Sequence, residues 1–252
     1  MTKLQGIVVC PQPLAAHAGA EALRAGGNAI DAALAAAFVQ GVVDPHMAGI
    51  GGFGCLLAFD GKTRDVTTIA FHGRAGSAAR PDTFANRVRG RVPGHGERYL
   101  VDDMANQIGY ESVVVPGVVA GFAETHRRLG KLPWSKIIEP AERIAREGFR
   151  IGGDLYRNWT RPESTGHADS LTRFRATHAS AKIFLNDGQL MKPGELLVQE
   201  DYARTLRAIA DDGPGAFYHG QIAKKIVEDF AKHGGLFSYD DLASYKPDLS
   251  PP

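Results

Sequence analysis

The 252-residue sequence predicts an α+β fold, rich in helices and short of strands, in a single domain over residues 1–252. Three observations predict it. Residues 29–43, AIDAALAAAFVQGVV, are small and apolar on nearly every side, the mark of a buried, closely packed helix. Two β-favouring runs, CLLAF (55–59) and VTTIAF (66–71), flank DGKTRD, a hairpin connection containing the turn dipeptide Asp60-Gly61. Amphipathic helical segments then dominate the C-terminal half, notably 197–213 and 220–235. So few strands beside so many amphipathic helices leave a face to cover, which predicts a partner sheet from outside these residues.

The elements follow in order. GIVVC (6–10) reads as a short buried strand. A helix over 13–25 starts on Pro13, which suits a first turn, and stops at Gly26-Gly27. Asn28 can cap the next helix, with Asp31 near its positive end, and Asp44-Pro45 ends it. After the hairpin, residues 74–109 are polar and read as a long surface loop with some local structure, carrying Arg87, Arg89, Arg91 and Arg98. SVVVPGVVAGFAETHRRLG (112–130) reads as a strand, a Pro-Gly turn and a helix. Another helix follows, with Ser135 as cap and Gly148 as stop. SYDDLASY opens with a capping box from Ser238 to Asp241, and KPDLSPP reads as the start of a continuing segment.

Composition narrows the function classes. The formal charge of +1 gives no pull toward nucleic acid or acidic membranes. The longest apolar stretch contains Asp31 and Gln40 and is too short to span a bilayer. No signal-peptide pattern opens the chain, so a cytoplasmic location is expected, or a periplasmic one if a signal was removed before this numbering began. Cys10 and Cys55 lie in apolar runs and are expected as buried free thiols. His167 and His178 have no third ligand at metal spacing, so no metal is expected, and no cofactor either. Thr2 has no catalytic setting.

Gly49, Gly51 and Gly54 spell G-x-G-x-x-G, the dinucleotide fingerprint. That chemistry needs a strand before the first glycine and a helix after the last, so that the helix start meets the pyrophosphate. Here the order is reversed. Close backbone packing is the physical alternative.

The segment GGNAIDAALAAAFVQGVVDPHMAGIGGFG (26–54) joins two others: VVVPGVVAGFAETHRRLGKLPWSKIIEPAERIAREGF (113–149) and LVQEDYARTLRAIADDGPGAFYHGQIAKKIVEDFAKHGGLFSYDDLASY (197–245). In this order they resemble the γ-glutamyltransferase (glutathione hydrolase) family. The resemblance implies the N-terminal nucleophile (Ntn) hydrolase fold, an αββα sandwich of which this chain supplies helices and a few strands. It also implies a precursor that cuts itself in two. The small subunit would carry an N-terminal threonine as nucleophile, with its own α-amino group as base. This chain matches the front of the large subunit, so the small subunit is the expected partner and no catalytic residue is expected here.

The resemblance further implies an arginine, shortly after the hairpin, that grips a substrate carboxylate through its planar fork. The matching stretch is IAFHGRAGSAARPDTF. Counting back from Phe84 without a gap puts His72 at that place, and a two-residue shift puts Arg74 there. Both are candidate substrate-binding residues, with Arg74 preferred. The family's following glutamate is absent in either register, and Phe53 and Cys55 stand where the family tends to have Gly and Phe. These departures weaken γ-glutamyl specificity but not the amide-cleaving class, so the resemblance implies cleavage of a γ-glutamyl or similar small carboxylate-bearing amide through an acyl-enzyme. A related amidohydrolase acting on an oxamate-like or acyl amide, or a non-catalytic scaffold member, are the alternatives.

Overall fold

The protein is described by a computed structural model covering residues 6–162 and 167–250. Thr2 and the terminal Pro251-Pro252 lie outside the described residues.

The helical core starts with α1 (Pro13–Arg24), closed by Gly26 in the left-handed region at φ +87°. α2 (Ala29–Val43) begins in a complete capping box: Asn28 accepts from the Ile30 and Asp31 amides, and Asp31 accepts from the Asn28 amide. Leu34, Phe38, Val39 and Val42 of this helix are fully buried, so α2 is the central rod against which α1 and the later helices pack. Gly19 permits the close approach, since a Cβ there would meet the Ala32 carbonyl at 2.8 Å.

β1 (Gly54–Phe59) and β2 (Val66–Phe71) form the antiparallel hairpin, in register from Gly54↔Phe71 to Phe59↔Val66. Its turn takes its positive φ at Arg64 rather than at Gly61. Leu56, Ile69 and Phe71 face inward, while Cys55, Leu57 and Phe59 face out, with Leu57 71% exposed. The expectation of a buried Cys55 is thus corrected by strand alternation, and Cys10 is only half-buried.

Residues 88–101, expected as loop, form a second hairpin of β3 (Val88–Val92) and β4 (His95–Val101), turning on Gly94 at φ +77°. Its arginines are paired: Arg87 forks onto Glu111, Arg89 onto Asp102, and Arg91 lies over Tyr99. α3 (Val118–Leu129) and α4 (Trp134–Glu147) follow. Pro133, not Ser135, occupies the cap of α4, and Gly148 ends it at φ +82°. Next come β5 (Phe149–Arg150), α5 (Gly153–Trp159), α6 (Ser170–Arg175), α7 (His178–Phe184), β6 (Leu185–Asn186), β7 (Gln189–Leu190) and β8 (Leu196–Leu197). β5 pairs with β8, and β6 with β7. α8 (Glu200–Asp212), α9 (Gly215–Tyr218) and α10 (Gln221–Lys232) lead to α11 (Tyr239–Ala243), whose Ser238–Asp241 capping box forms as its sequence predicts. β9 (Asp248–Ser250) then returns to pair antiparallel with β2, giving a sheet of order β1-β2-β9. The segment after Tyr245 is therefore a strand of the main sheet.

Two expected strands do not form. Residues 6–10 pair with no described strand, and Ile7 and Val9 stand 90% and 87% exposed while Val8 packs inward beside Gly19. Residues 112–115 make only a single bridge, Val115 to Arg74. Alternating apolar residues suit a strand, but a strand exists only where a neighbour takes its hydrogen bonds.

Candidate functional site

β2, the central strand, ends at Phe71 and delivers His72, Gly73 and Arg74 to one end of the sheet. Arg74 is fixed through its backbone, which exchanges hydrogen bonds with Val115 at 3.3 and 2.8 Å. The turn after Val115 then packs directly on the strand end. A Cβ on Gly117 would lie 2.2 Å from the Phe71 carbonyl oxygen, so this glycine is a close-approach residue.

The glycine loop closes the same corner. The Gly52 carbonyl accepts hydrogen bonds from the Gly117 and Val118 amides at 2.9 and 3.1 Å. The donors at the start of α3 are thus used by the protein's own loop instead of a phosphate. With α2 before it and β1 after it, the loop is a packing device. Its floor is Tyr202, which is half-buried and accepts from the Ile50 amide at 3.4 Å. Burial pushes the Tyr202 phenol up to about 12, with that amide drawing it down in part.

A strap over residues 245–248 lies across the strand end. The Tyr245 hydroxyl donates to the His72 carbonyl at 2.7 Å. Its ring lies 5.1 Å from the Arg74 guanidinium carbon, a cation–π contact. Arg74 Nη2 donates to the Lys246 carbonyl at 2.9 Å and to Asp248 Oδ1 at 3.0 Å. Behind the strap Tyr245 stacks on Tyr218, with ring centroids 5.9 Å apart and planes 10° apart. Tyr218 in turn donates to the Pro116 carbonyl at 2.9 Å and accepts from the Ala120 amide. Burial raises the Tyr245 phenol; Arg74 opposes that shift and Asp248 adds to it.

Both sequence-derived candidates therefore meet at one corner. The Arg74 side chain is 47% exposed and cationic, with one nitrogen, Nη2, engaged by the strap. His72 is exposed, and only its carbonyl joins the network. A cleft of about 490 Å³ lies between the glycine loop, α2 and the end of β2, lined by Phe38, Met47, Phe53, Phe71, Phe122 and Tyr202 among others; neither Arg74 nor His72 lines it. Phe53, 61% exposed, reaches toward Gly73, so the departure from the family pattern faces the same corner.

Sequence reasoning missed Tyr245 and Asp248, which reach His72 and Arg74 across 173 and 174 residues. It also missed the polar cluster leading into the glycine loop. There the carboxylate of Asp44 accepts from Gln40 Nε2 at 2.7 Å, and Asp44 Oδ1 lies 2.9 Å from His46 Nδ1, which takes the Trp159 indole N–H at 3.2 Å. His167 lies beside Arg98 in a surface contact, and among the described residues no group of three His, Cys, Asp or Glu is placed to hold a metal. No described helix is long and apolar enough to cross a membrane.

The structure resembles Helicobacter pylori gamma-glutamyltranspeptidase with a TM-score of 0.86 at 30% identity, covering 100% of this chain and 67% of that one. A glutathione hydrolase proenzyme of Bacillus subtilis (strain 168) is 34% identical over 247 residues, 98% of this chain and 39% of that protein. The Acylase ACY 1 proenzyme of Pseudomonas sp. (strain SE83) is 34% identical over 250 residues, 98% of this chain and 42% of that protein. The chain thus spans well under half the length of these two relatives. The profile described as Gamma-glutamyltranspeptidase matches residues 15–252. The mixed α+β fold is that of the Ntn-hydrolase class. Within that class, the chain belongs to the gamma-glutamyltranspeptidase family.

Proposed function

We propose that the complete protein cleaves a small amide bearing a carboxylate, by acyl transfer, and that this chain holds the carboxylate. The observation carrying this reading is the exposed cationic corner at the end of β2, where Arg74 is held by the strap and His72 stands exposed two residues before it, in a member of this family. A guanidinium fork suits a carboxylate, and an imidazole beside it adds a hydrogen-bond donor.

The reaction needs a nucleophile besides Arg74 and His72, and the relatives' proenzyme names support a precursor cut in two. On the second piece an N-terminal threonine Oγ would attack the amide carbon, its proton passing to the threonine's own α-amino group. The C–N bond then breaks, the amine leaves with that proton, and an ester remains. Water or a second amine resolves the ester. The outward row of Cys55, Leu57 and Phe59, together with Ile7 and Val9, is the surface we assign to that second piece.

A second reading, an acyl amide substrate, is favoured by Phe53, whose exposed ring puts apolar surface beside the cationic corner. One experiment tests the anchor. Expression of the complete reading frame should give two pieces by mass, and Arg74→Ala should raise KM for a carboxylate-bearing amide at least about tenfold, as expected for losing a charge-assisted hydrogen bond. An unchanged KM removes Arg74 from the role, and a single uncut chain of full activity removes the two-piece mechanism. His72→Ala should raise KM by a smaller factor.

A further inference from the structure

We propose that Asp248 is a built-in competitor for the Arg74 guanidinium, and so sets how tightly the site takes a substrate carboxylate. The inference rests on Arg74 being the anchor. Three contacts to the guanidinium come from one strap. The Tyr245 ring lies 5.1 Å away and the Lys246 carbonyl accepts at 2.9 Å; both hold the group in place without neutralising it. The third is different in kind. Asp248 is a carboxylate, the same functional group as the proposed ligand, and it already sits at 3.0 Å.

Exposure makes this contact exchangeable. The Arg74 and Asp248 side chains are 47% and 70% exposed, and ion pairs in that setting are weak. The backbone carbonyl and the aromatic ring keep the guanidinium oriented when Asp248 turns away to water. The Lys246 and Asp248 bonds both fall on Nη2, whereas a guanidinium carries five donors, so an arriving carboxylate shares or replaces the Asp248 contact without dismantling the corner. It meets a cation whose charge is partly cancelled. That lowers ground-state and transition-state binding together, which raises KM and leaves kcat unchanged. Asp248 also opens β9, opposite Ala70 of β2, so a purely structural role would be to fasten the strap. The two roles predict opposite signs.

The test uses the complete processed enzyme with two p-nitroanilides, one of glutaric acid with a free carboxylate and one of pentanoic acid with none. Asp248→Asn should lower KM for the glutaryl substrate about two- to fivefold, the worth of an exposed ion pair, with kcat unchanged. The pentanoyl substrate should not respond. Asp248→Glu should behave as the parent, and Asp248→Ser repeats the charge removal if the asparagine variant folds poorly by thermal melting. Calorimetric binding of free glutarate should follow the same order without relying on turnover. A glutaryl KM that stays unchanged or rises, or an equal fall for both substrates, overturns the proposal. Arg74→Ala, run alongside, separates the two claims. A raised glutaryl KM there keeps Arg74 as anchor whatever Asp248 does, whereas an unchanged one removes the anchor and the competitor with it.

Discussion

Asp31 is a fully buried carboxylate that serves two parts of the chain at once. It accepts the Asn28 amide at 2.8 Å within its own helix start, and the Lys131 and Leu132 amides at 2.9 and 3.3 Å from the loop after α3. Removing it leaves buried amides without a partner, which costs more than the bonds contribute when made. Asp31→Ala should therefore lower unfolding free energy by about 3 kcal/mol, read from denaturant melts, while Asp31→Asn should cost less because one carbonyl acceptor remains. The helix-capping half of this role is legible in the sequence, because Asn28 and Asp31 are three positions apart and capping is local. The half that reaches Lys131 is not, since nothing in the composition of GKLPW names its partner. The same limit hid Asp248. A residue's role can be read from its neighbours in sequence only when its partners are those neighbours.

At the scale of elements, α11 shows how a short helix is tied down. The Asp241 carboxylate accepts from the Ser238 amide at 2.8 Å and hydroxyl at 3.0 Å, and from the Ser77 amide at 3.0 Å and hydroxyl at 2.7 Å. Gly76 allows that docking, because a Cβ there would lie 2.1 Å from the Leu236 carbonyl oxygen. Burial raises the Asp241 carboxyl, but its four hydrogen bonds outweigh that and hold it at about 2. The folded value lies below that of an unfolded aspartate, so this contribution is complete above about pH 4 and disappears as the pH falls toward 2. Denaturant midpoints of the parent and Asp241→Asn should therefore differ most at pH 5 and converge near pH 2. A gap of constant size would show that the carboxylate's charge is not what matters.

Long elements were legible: α4, α8 and α10 because their periodicity accumulates, and α2 because it is apolar on nearly every side. Two-residue strands such as β5 and β8 carry no such signal, and β3–β4 hid behind arginines that read as solvated. Those arginines are at home on a two-stranded ribbon, where exposed charges pair across or beyond the strands.

For the molecule as a whole, the sequence's shortage of strands is matched by a sheet of β1, β2 and β9 whose outer row is apolar. An exposed row of this kind marks an interaction surface or an aggregation liability. The chain produced alone should bind a hydrophobic dye and self-associate in ultracentrifugation, and both signals should fall when the remainder of the reading frame is co-expressed. Leu57→Asp in the complete protein should block assembly of the two pieces. Normal assembly of that variant would assign the row to another partner. The family and the general fold were thus readable from motifs in register, whereas the corner that positions Arg74 needed the packed molecule.

That corner has a consequence in time. Arg74 and Asp248 are 174 residues apart in the chain, and β2 gains its second neighbour only when Ser250 arrives. On a ribosome adding about 5–20 residues per second, Arg74 would wait roughly 9–35 s for its strap. The hairpin, α2 and the helices packed on it are all made earlier. The bonds from Arg74 to Lys246 and Asp248 therefore stay unmade until those residues have been synthesised.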